Sequence, residues 1–453
     1  MNERFTDDVR NKKIELNCTE ILIYQNKGMC LKGYGKIKIN SVGTIYLDFI
    51  CQSAYNLPEI EFFSTKYPKN DLIAEQVFNL IGKTLDGRTF TSKSFNVKLN
   101  HQIYLLPIQI YIFLSYIEFS EKVKNEISFL YLETQQILEI PSNTITSTIG
   151  DSRSERNETI FSLFNDNLKF RYVKNYQNKS YIELIGNFQT NRTHDCLRLY
   201  YGLTTGCLLQ FYYSFQQIKK ERIQRINSIN TNKIDHRFFQ VCPTNISVDN
   251  KLSLDFHENF LVIIFKLAAE NENIFNSVFE QWSRLWDASR STQQILNLVI
   301  TTSVEGLLND IFIPIFEEDV DQKLLDEISN IKNIIKALDI NHSYKQRLHN
   351  SISYLKNITA NKALNLLVIK KVLTKDEVKV WKELRNEVAH PKNKILDIDD
   401  QKKVESNFLL CLNLFNNLIF QALRYDGVRY YFTNEDSPKI TEFKHCQDLL
   451  DKS

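Results

Sequence analysis

Arg385 and His390 lie five positions apart in the chain. A guanidinium stays charged and offers a planar fork of N–H donors to phosphate oxygens, whereas an imidazole takes up or gives up a proton near neutral pH. This pair could cleave an RNA phosphodiester without a metal ion: His390 would deprotonate the 2′-hydroxyl group, and Arg385 would stabilise the charge that builds up on the phosphate. The products would be a 2′,3′-cyclic phosphate and a 5′-hydroxyl end.

A helix is predicted to hold Arg385, and the start of this helix is well marked. Thr374 and Glu377 form a capping box, in which each side chain hydrogen-bonds to the backbone N–H of the other residue. Four apolar residues follow at helical spacing and give the helix one apolar face: Val378, Trp381, Leu384 and Val388. Arg385 would lie at the edge of this face, beside the core.

The same helix is predicted to end at His390. Pro391 follows, and a proline disfavours the α-helical conformation of the residue before it. In an unbroken helix His390 would point about 140° away from Arg385, and a helix end would let it turn back. Because one histidine cannot act as base and acid at once, a two-fold homodimer would supply the second His390, which predicts a composite site. The alternative is that Arg385 pairs within the bundle and His390 only complements the helix dipole.

Positive charge surrounds this segment. Between Lys362 and Lys394 there are nine basic and four acidic residues. Lys382, Lys392 and Lys394 could hold an RNA backbone, and such binding would weaken steeply with salt. A solvated helix face explains the same charges equally well.

A second candidate for the site is Glu305. It shares a predicted helical stripe with Leu298, Thr302, Leu308 and Phe312. If this stripe faces the bundle interior, the carboxylate would need a partner, and Arg385 could be that partner. A glutamate at the surface is the simpler alternative. Elsewhere, no His, Cys, Asp or Glu residues have convincing spacing for metal ligands, so neither a metal nor another cofactor is expected.

The composition is that of an ordinary globular protein with two or three domains. The chain has 453 residues, of which 43% are hydrophobic and 24% charged, with a net charge of +2. These values exclude disordered and collagen-like classes, and no overall field favours nucleic acid or membranes. Eight cysteines without a CxxC motif indicate neither a zinc ribbon nor a disulfide framework. The N-terminal residues lack the apolar segment of a signal peptide, and the most apolar run, 103–117, is too short to cross a bilayer, which predicts a cytoplasmic protein without membrane contact.

The predicted fold class is α+β, with a β-rich N-terminal domain over residues 1–190. Apolar and polar positions alternate there over short stretches, as in 36–40 and 44–48, which is typical of half-buried strands. A sandwich or barrel-like sheet is expected. Turn signals that would close hairpins lie at 26–28, 41–43 and 85–87.

The rest of the chain is predicted to be helical. Residues 191–288 are a helical connecting part of the N-terminal region, 289–430 an all-α helical bundle and 431–453 a C-terminal tail. The basic run from Lys219 to Arg237, in the connecting part, is another candidate RNA contact, although a solvated helix end is favoured. Predicted bundle helices run near 292–313, 321–337, 343–357, 361–371, 375–389 and 400–424.

The hexapeptide Arg385-Asn386-Glu387-Val388-Ala389-His390 resembles the Arg-polar-x-x-x-His motif that nucleases of the HEPN superfamily carry late in a helical bundle. The resemblance covers roughly residues 290–430 and includes the polar residue after the arginine. The chain is similar to ApeA-like anti-phage HEPN proteins, which pair a β-rich N-terminal domain with a C-terminal HEPN domain. In the N-terminal half the match is loose, and it rests on the segments LKGYGKI at 31–37 and GKTLDGRTF at 82–90.

The resemblance implies a metal-independent endoribonuclease that acts as a homodimer, through its HEPN domain, in anti-phage defence by abortive infection. Arg385 and His390 would be the catalytic pair and Asn386 a polar assistant. The N-terminal domain would sense or regulate, and a phage-derived trigger would release the activity. A non-catalytic RNA- or protein-binding HEPN module is the alternative. A third possibility is the toxin of a toxin-antitoxin pair, which the long N-terminal half argues against.

Overall fold

The computed structural model describes residues 8–9, 11, 13–57, 77–99, 101–124, 127–142, 144–147, 154–164, 167–174, 180–244, 250–318, 322–353, 357–389, 398–435 and 437–449. The chain divides into two compact units. The β unit comprises Met1–Thr193 and Leu208–His236, and the helical unit comprises His194–Cys207 and Arg237–Ser453. The predicted α+β class is confirmed, because a large antiparallel sheet forms in the N-terminal region and helices form in the C-terminal region.

One antiparallel sheet of fourteen strands occupies the described part of the β unit. In chain order the strands are β1 (Glu15–Tyr24), β2 (Cys30–Ile39), β3 (Ile45–Tyr55), β4 (Val77–Thr84), β5 (Thr89–Asn96), β6 (Ile108–Leu114), β7 (Tyr116–Lys122), β8 (Phe129–Thr134), β9 (Thr144–Ser147), β10 (Ser154–Leu163), β11 (Leu168–Lys174), β12 (Ser180–Gly186), β13 (Phe211–Ile218) and β14 (Glu221–Asn227). Across the sheet they follow the order β6-β3-β2-β1-β4-β5-β7-β14-β13-β8-β12-β11-β10-β9, so β6 and β9 form its two edges.

Alternation along the strands builds the core of the β unit. On β3, Ile45, Leu47 and Phe49 are fully buried, whereas Tyr46 and Asp48 between them are half-buried. The three predicted hairpins are confirmed, since tight turns join β1 to β2, β2 to β3 and β4 to β5. In the last of these turns Gly87 has a φ of 86°, a conformation that glycine adopts without steric cost.

Residues 211–227 form strands β13 and β14, so the prediction of helix for this segment is wrong. Phe211, Tyr212, Tyr213 and Ser214 are buried one after another at the start of β13. A strand that is buried on both faces has no alternation, and periodicity alone cannot separate it from a buried helix. The density of aromatic residues at 211–215 favours a strand over a helix.

The basic residues after β13 pair across the sheet. Arg222 Nη1 lies 2.8 Å from Glu121 Oε1, and Arg225 pairs with Glu118, both glutamates being on β7. The Arg225 guanidinium also lies over the Tyr116 ring, 4.4 Å from its centroid. Cross-strand pairs of opposite charge contribute about 0.2–1 kcal/mol each to a sheet. These two arginines therefore contribute to strand pairing, and they lie on a strand and not at a helix end.

Helices dominate the second unit. In chain order the helices are α1 (Thr190–Thr205), α2 (Thr231–Ile234, a single turn in the β unit), α3 (Asn250–Glu270), α4 (Glu272–Ala288), α5 (Gln293–Leu307), α6 (Ile313–Glu318), α7 (Gln322–Ala337), α8 (His342–Ser353), α9 (Ala360–Ile369), α10 (Lys375–Ala389) and α11 (Ile398–Leu423). A π-helical turn, Leu308–Phe312, joins α5 to α6. The six predicted bundle helices correspond to α5 with α6, and to α7, α8, α9, α10 and α11.

The chain after the bundle is folded and is more than a tail. Strands β15 (Gly427–Tyr431) and β16 (Lys439–Phe443) pair as an antiparallel hairpin, and a short 3₁₀ turn (Gln447–Leu449) follows. Phe443 and Leu449 are buried. The predicted C-terminal tail thus begins inside a hairpin that belongs to the helical unit.

Helices α5, α10 and α11 pack on one another in the core of the helical unit. Leu414, Phe415 and Leu418 of α11 are fully buried. By length and composition alone, Gln293–Glu317 and Lys402–Leu423 are apolar enough to cross a membrane, with 50% and 78% of their apolar windows buried within the described residues. Core helices of soluble proteins pass the same test, so these two helices are weak evidence for a membrane.

Pro314 accounts for the π-helical turn. Proline has no backbone N–H and its ring crowds the carbonyl group four residues earlier, which in this chain belongs to Asp310. The wider π turn ends at Phe312, two residues before the proline, and the helix continues as α6. The Asp310 carboxylate accepts a hydrogen bond of 2.8 Å from Ser277 Oγ of α4, which ties the turn to its neighbour.

A buried histidine makes the helical unit sensitive to acid. His257 of α3 is 1% exposed, and its Nδ1 lies 2.6 Å from the Tyr200 hydroxyl group. Burial lowers the pKa of His257 from 6.5 to about 4. Between about pH 6.5 and pH 4 the unfolded chain therefore binds a proton at this residue that the folded chain does not bind.

We expect the free energy of unfolding to fall as the pH decreases from 6.5 to about 4, by up to ~3 kcal/mol from His257. Above pH 6.5 the residue is neutral in both states and contributes no slope. His257→Gln keeps a hydrogen-bonding group but does not titrate in this range, so the difference between the two proteins isolates the histidine. Urea denaturation at pH 7, 6, 5 and 4 measures it, and parallel pH profiles for the two proteins would contradict the assignment.

Candidate active site

The start of α10 is fixed by the predicted capping box. The Thr374 backbone N–H donates to Glu377 Oε2 at 2.7 Å, and the Glu377 backbone N–H donates to Thr374 Oγ1 at 3.2 Å. The Thr374 hydroxyl group also donates to Glu377 Oε2, at 3.0 Å. These bonds confirm the predicted capping box and fix the residue at which α10 begins.

Glu377 is fully buried, so its carboxylate needs further partners. Asn417 Nδ2 of α11 donates to Glu377 Oε1 at 3.0 Å, and Asn417 Oδ1 accepts a hydrogen bond from Arg429 Nη1 of β15. Burial raises the pKa of Glu377 and lowers the pKa of Arg429. One amide therefore links a buried carboxyl group to a buried guanidinium directly behind the first turn of α10.

The apolar face of α10 that the spacing predicts is buried, and α10 packs on α5. Val378, Trp381 and Leu384 are buried, and Val388 is half-buried. Trp381 Nε1 donates to the backbone carbonyl oxygen of Thr301 in α5 at 3.3 Å. This contact ties the middle of α10 to the neighbouring helix.

Arg385 lies at the edge of this face and pairs with Glu305 of α5. Its Nε donates to Glu305 Oε1, and its guanidinium lies 5.7 Å from the centroid of the Trp381 ring. The arginine side chain is 52% exposed and the glutamate side chain 28%. Among the described residues only Nε donates a hydrogen bond, and the two terminal nitrogens carry the further N–H donors of the guanidinium. A pair this exposed contributes at most about 1 kcal/mol to stability, and its main effect is to orient the guanidinium.

Glu305 lies at the boundary of the core. It pairs with Arg385, which was one alternative from the sequence, but it is not fully buried and so also has part of the surface character of the other. Leu308 and Phe312 of its stripe are fully buried, whereas Leu298 and Thr302 are exposed. The stripe is therefore exposed to solvent at its start and buried at its end, and Glu305 lies at the change from one to the other. A carboxylate there can meet a guanidinium without being fully desolvated.

Two contacts show that α5 and α10 run in the same direction where they meet. Trp381 pairs with Thr301, and Arg385 with Glu305, and both pairs are 80 positions apart in sequence. From Thr301 to Glu305 and from Trp381 to Arg385 the chain advances four residues in the same direction, so the two helices are parallel. The site is assembled from parallel helices that the intervening segment, α6 to α9, connects.

The other predicted site residues are placed as follows. Asn386 is exposed next to Arg385, and Lys382 is half-buried one turn before it. His390, Lys392 and Lys394 lie outside the described residues, so the geometry between Arg385 and His390 remains a prediction. A search of the described residues finds no group of three or more His, Cys, Asp or Glu side chains that could hold a metal ion.

Sequence reasoning missed the amide and guanidinium network behind α10. Its signal was present in α11, where polar residues interrupt an otherwise apolar run, and all of them are at most 2% exposed: Asn413, Asn416, Asn417 and Gln421. Amides in a core helix need hydrogen-bond partners, and such a cluster predicts a buried polar network.

No protein-family model, no curated protein and no solved structure matches this chain. Its function is therefore inferred from the residues described above and from their placement.

Proposed function

We propose that this chain is a metal-independent endoribonuclease of the HEPN type, which works as a cytoplasmic homodimer in anti-phage defence. The observation that carries the proposal is the presentation of Arg385. Glu305 accepts a hydrogen bond from its Nε, the guanidinium lies 5.7 Å from the centroid of the Trp381 ring, and the side chain is 52% exposed, five residues before His390. Such a guanidinium is ready to bind a phosphodiester.

In the proposed reaction, the 2′-oxygen of a ribose attacks the adjacent phosphorus atom and the bond from phosphorus to the 5′-oxygen breaks. His390 takes the proton of the 2′-hydroxyl group. Arg385 binds the non-bridging phosphate oxygens as charge builds up on them, and the exposed amide of Asn386 assists. The products are a 2′,3′-cyclic phosphate and a 5′-hydroxyl end.

The departing 5′-oxygen needs a proton, which the imidazolium of His390 of the partner subunit would donate. A two-fold dimer in which α10 and its symmetry mate lie side by side brings the two histidines to one phosphate. Lys382, together with Lys392 and Lys394, would hold the flanking RNA backbone, which makes binding dependent on salt. The β unit would sense a phage-derived trigger and regulate this dimer.

We expect the purified full-length protein to cleave cellular RNA in EDTA and to leave 5′-hydroxyl ends. Those ends can be captured by a ligation that requires a 5′-hydroxyl group and then sequenced, both from the purified reaction and from phage-infected cells that express the protein. Cleavage that requires a divalent metal, or that leaves 5′-phosphate ends, would overturn the mechanism. RNA that is bound but never cut, even in infected cells, would favour the non-catalytic module.

Glu305→Gln is expected to lower the turnover rate by about 10- to 100-fold with little change in the apparent affinity for RNA, because a misoriented guanidinium stabilises the transition state less well. The measurement is single-turnover cleavage at several RNA concentrations. Thr302→Ala is the matched control, since Thr302 is exposed on the same helix and its hydroxyl group donates to the backbone carbonyl oxygens of Leu298 and Val299 in α5. Equal rates for the Glu305 variant and the control would show that Glu305 does not position the arginine.

A further inference from the structure

A second concave site lies at the opposite end of α10 from Arg385. It is a cleft of about 500 Å³ between the turn that joins α9 to α10, helix α11 and the β15–β16 hairpin, and we refer to it as the hairpin cleft. Thr374 and Glu377, the capping box of α10, form part of its wall. The volume lies within the range of small-molecule sites and is larger than one inorganic anion needs.

Arg429 of β15 is the most unusual residue of the hairpin cleft. It is 8% exposed, and its Nη1 donates to Asn417 Oδ1. Its buried Nε has no hydrogen-bond partner among the described residues. Both oxygens of the neighbouring Glu377 carboxylate already accept hydrogen bonds, from Thr374 and from Asn417. A buried guanidinium with an unused donor is costly, and an anion bound in the cleft would lower that cost.

Three lysines add positive charge to the hairpin cleft. Lys370 and Lys371 line it from the end of α9, and Lys444 lines it from the end of β16. With Arg429 they make four cationic side chains against two carboxylates, Glu377 and Glu442. The field in the cleft therefore favours an anion.

The backbone at Lys371 points to the same use. Lys371 closes α9 with a φ of 61°, in the left-handed region where glycine is the usual residue at a helix end. A side chain in that conformation is strained, and here the strained residue lines the cleft. A glycine would avoid the strain but would remove the ammonium group from the wall of the cleft.

An aromatic ring gives the hairpin cleft an apolar wall beside its charges. The half-buried Tyr431 ring lines the cleft, and the Arg429 guanidinium lies 5.3 Å from its centroid. Phe443 lies beside them but is buried against Phe420. Aromatic faces stack on planar heterocycles, and the guanidinium next to them binds phosphate oxygens. The cleft thus offers contacts for both parts of a nucleotide.

We propose that the hairpin cleft binds a nucleoside phosphate, with its phosphate groups against Arg429 and the three lysines and its base against the Tyr431 side of the cleft. Because Thr374 and Glu377 line the same cleft, the ligand reaches the first turn of α10, the helix that carries Arg385. Binding should therefore slow hydrogen exchange of the α10 backbone. This inference does not depend on ribonuclease activity.

Isothermal titration calorimetry of the full-length protein with the four common nucleoside 5′-monophosphates and triphosphates, in EDTA, tests the proposal. At least one of these probes is expected to bind, and Lys370→Glu and Lys444→Glu are each expected to weaken that binding about tenfold or more. Lys362→Glu is the matched control, because Lys362 is exposed on α9 and does not line the cleft. Arg429→Gln should also abolish binding, and thermal denaturation will show whether that variant folds.

Three outcomes would overturn the proposal. The first is that none of the eight nucleotides binds at millimolar concentration. The second is that inorganic phosphate binds as tightly as any nucleotide, which would show an anion contact without recognition of a base. The third is that a short RNA binds and the charge reversals weaken it while free nucleotides do not compete, which would make the cleft a contact for the RNA backbone. The surface variants are expected to fold normally, so loss of binding in them can be attributed to the site.

Discussion

Replacement of His390 by alanine is expected to lower the rate of RNA cleavage by roughly a thousandfold. In the proposed dimer each phosphate is served by two histidines, one that removes the 2′-proton and one that protonates the 5′-oxygen, and the alanine variant loses both. Initial rates on an end-labelled RNA in EDTA measure the effect. His342→Ala, an exposed histidine at the start of α8, is the matched control and should cleave at the wild-type rate.

The composite nature of the site can be tested with the same variant. A mixed dimer of one wild-type and one His390→Ala subunit keeps a single His390, and it is expected to be as inactive as the variant homodimer. Activity should then fall with the square of the wild-type fraction when the two proteins are mixed and allowed to exchange. A linear decrease would show that each subunit works alone, and unchanged cleavage by the pure variant would remove His390 from the mechanism.

Trp381→Ala is expected to lower the free energy of unfolding of the helical unit by about 3–5 kcal/mol. The ring is 1% exposed, and its removal would leave a cavity between α10 and α5. The variant also loses the hydrogen bond to the Thr301 carbonyl oxygen and the ring beneath the Arg385 guanidinium. Urea denaturation followed by circular dichroism provides the measurement.

Trp381→Phe separates these contributions. Phenylalanine keeps most of the ring but not the indole N–H, so a loss of about 1–2 kcal/mol is expected. If alanine costs less than phenylalanine, or if both cost less than about 1 kcal/mol, the docking of α10 on α5 does not depend on this residue.

The parts of the fold that could be predicted are those in which local signals agree. Helix α10 has a capping box, one apolar face and a following proline, and each of these acts within a few residues. The hairpin turns of the β unit are likewise local. Strand β13 was missed because both of its faces are buried, a property that depends on the rest of the sheet. The β15–β16 hairpin was missed because its short strands are only partly buried.

In the candidate site, too, the local features could be predicted from the sequence and the tertiary contacts could not. The types and spacing of Arg385 and His390 are visible in sequence, and so is the possibility of a carboxylate partner at Glu305. The choice between a surface glutamate and a partner of Arg385 needed the tertiary structure, because the two residues come from helices 80 positions apart. The network of Glu377, Asn417 and Arg429 joins three separate elements, and no local pattern specifies which amide meets which charge.

The distance in sequence between Glu305 and Arg385 has a consequence during translation. The ribosome must synthesise all of α5 to α10 before the carboxylate can orient the guanidinium, and α11, which packs on both helices, emerges later still. A nascent chain that ends between α5 and α10 contains Glu305 but not yet Arg385. If the protein cuts RNA as proposed, the order of synthesis keeps the growing polypeptide from cleaving the messenger RNA that encodes it until α10 and α11 have been made.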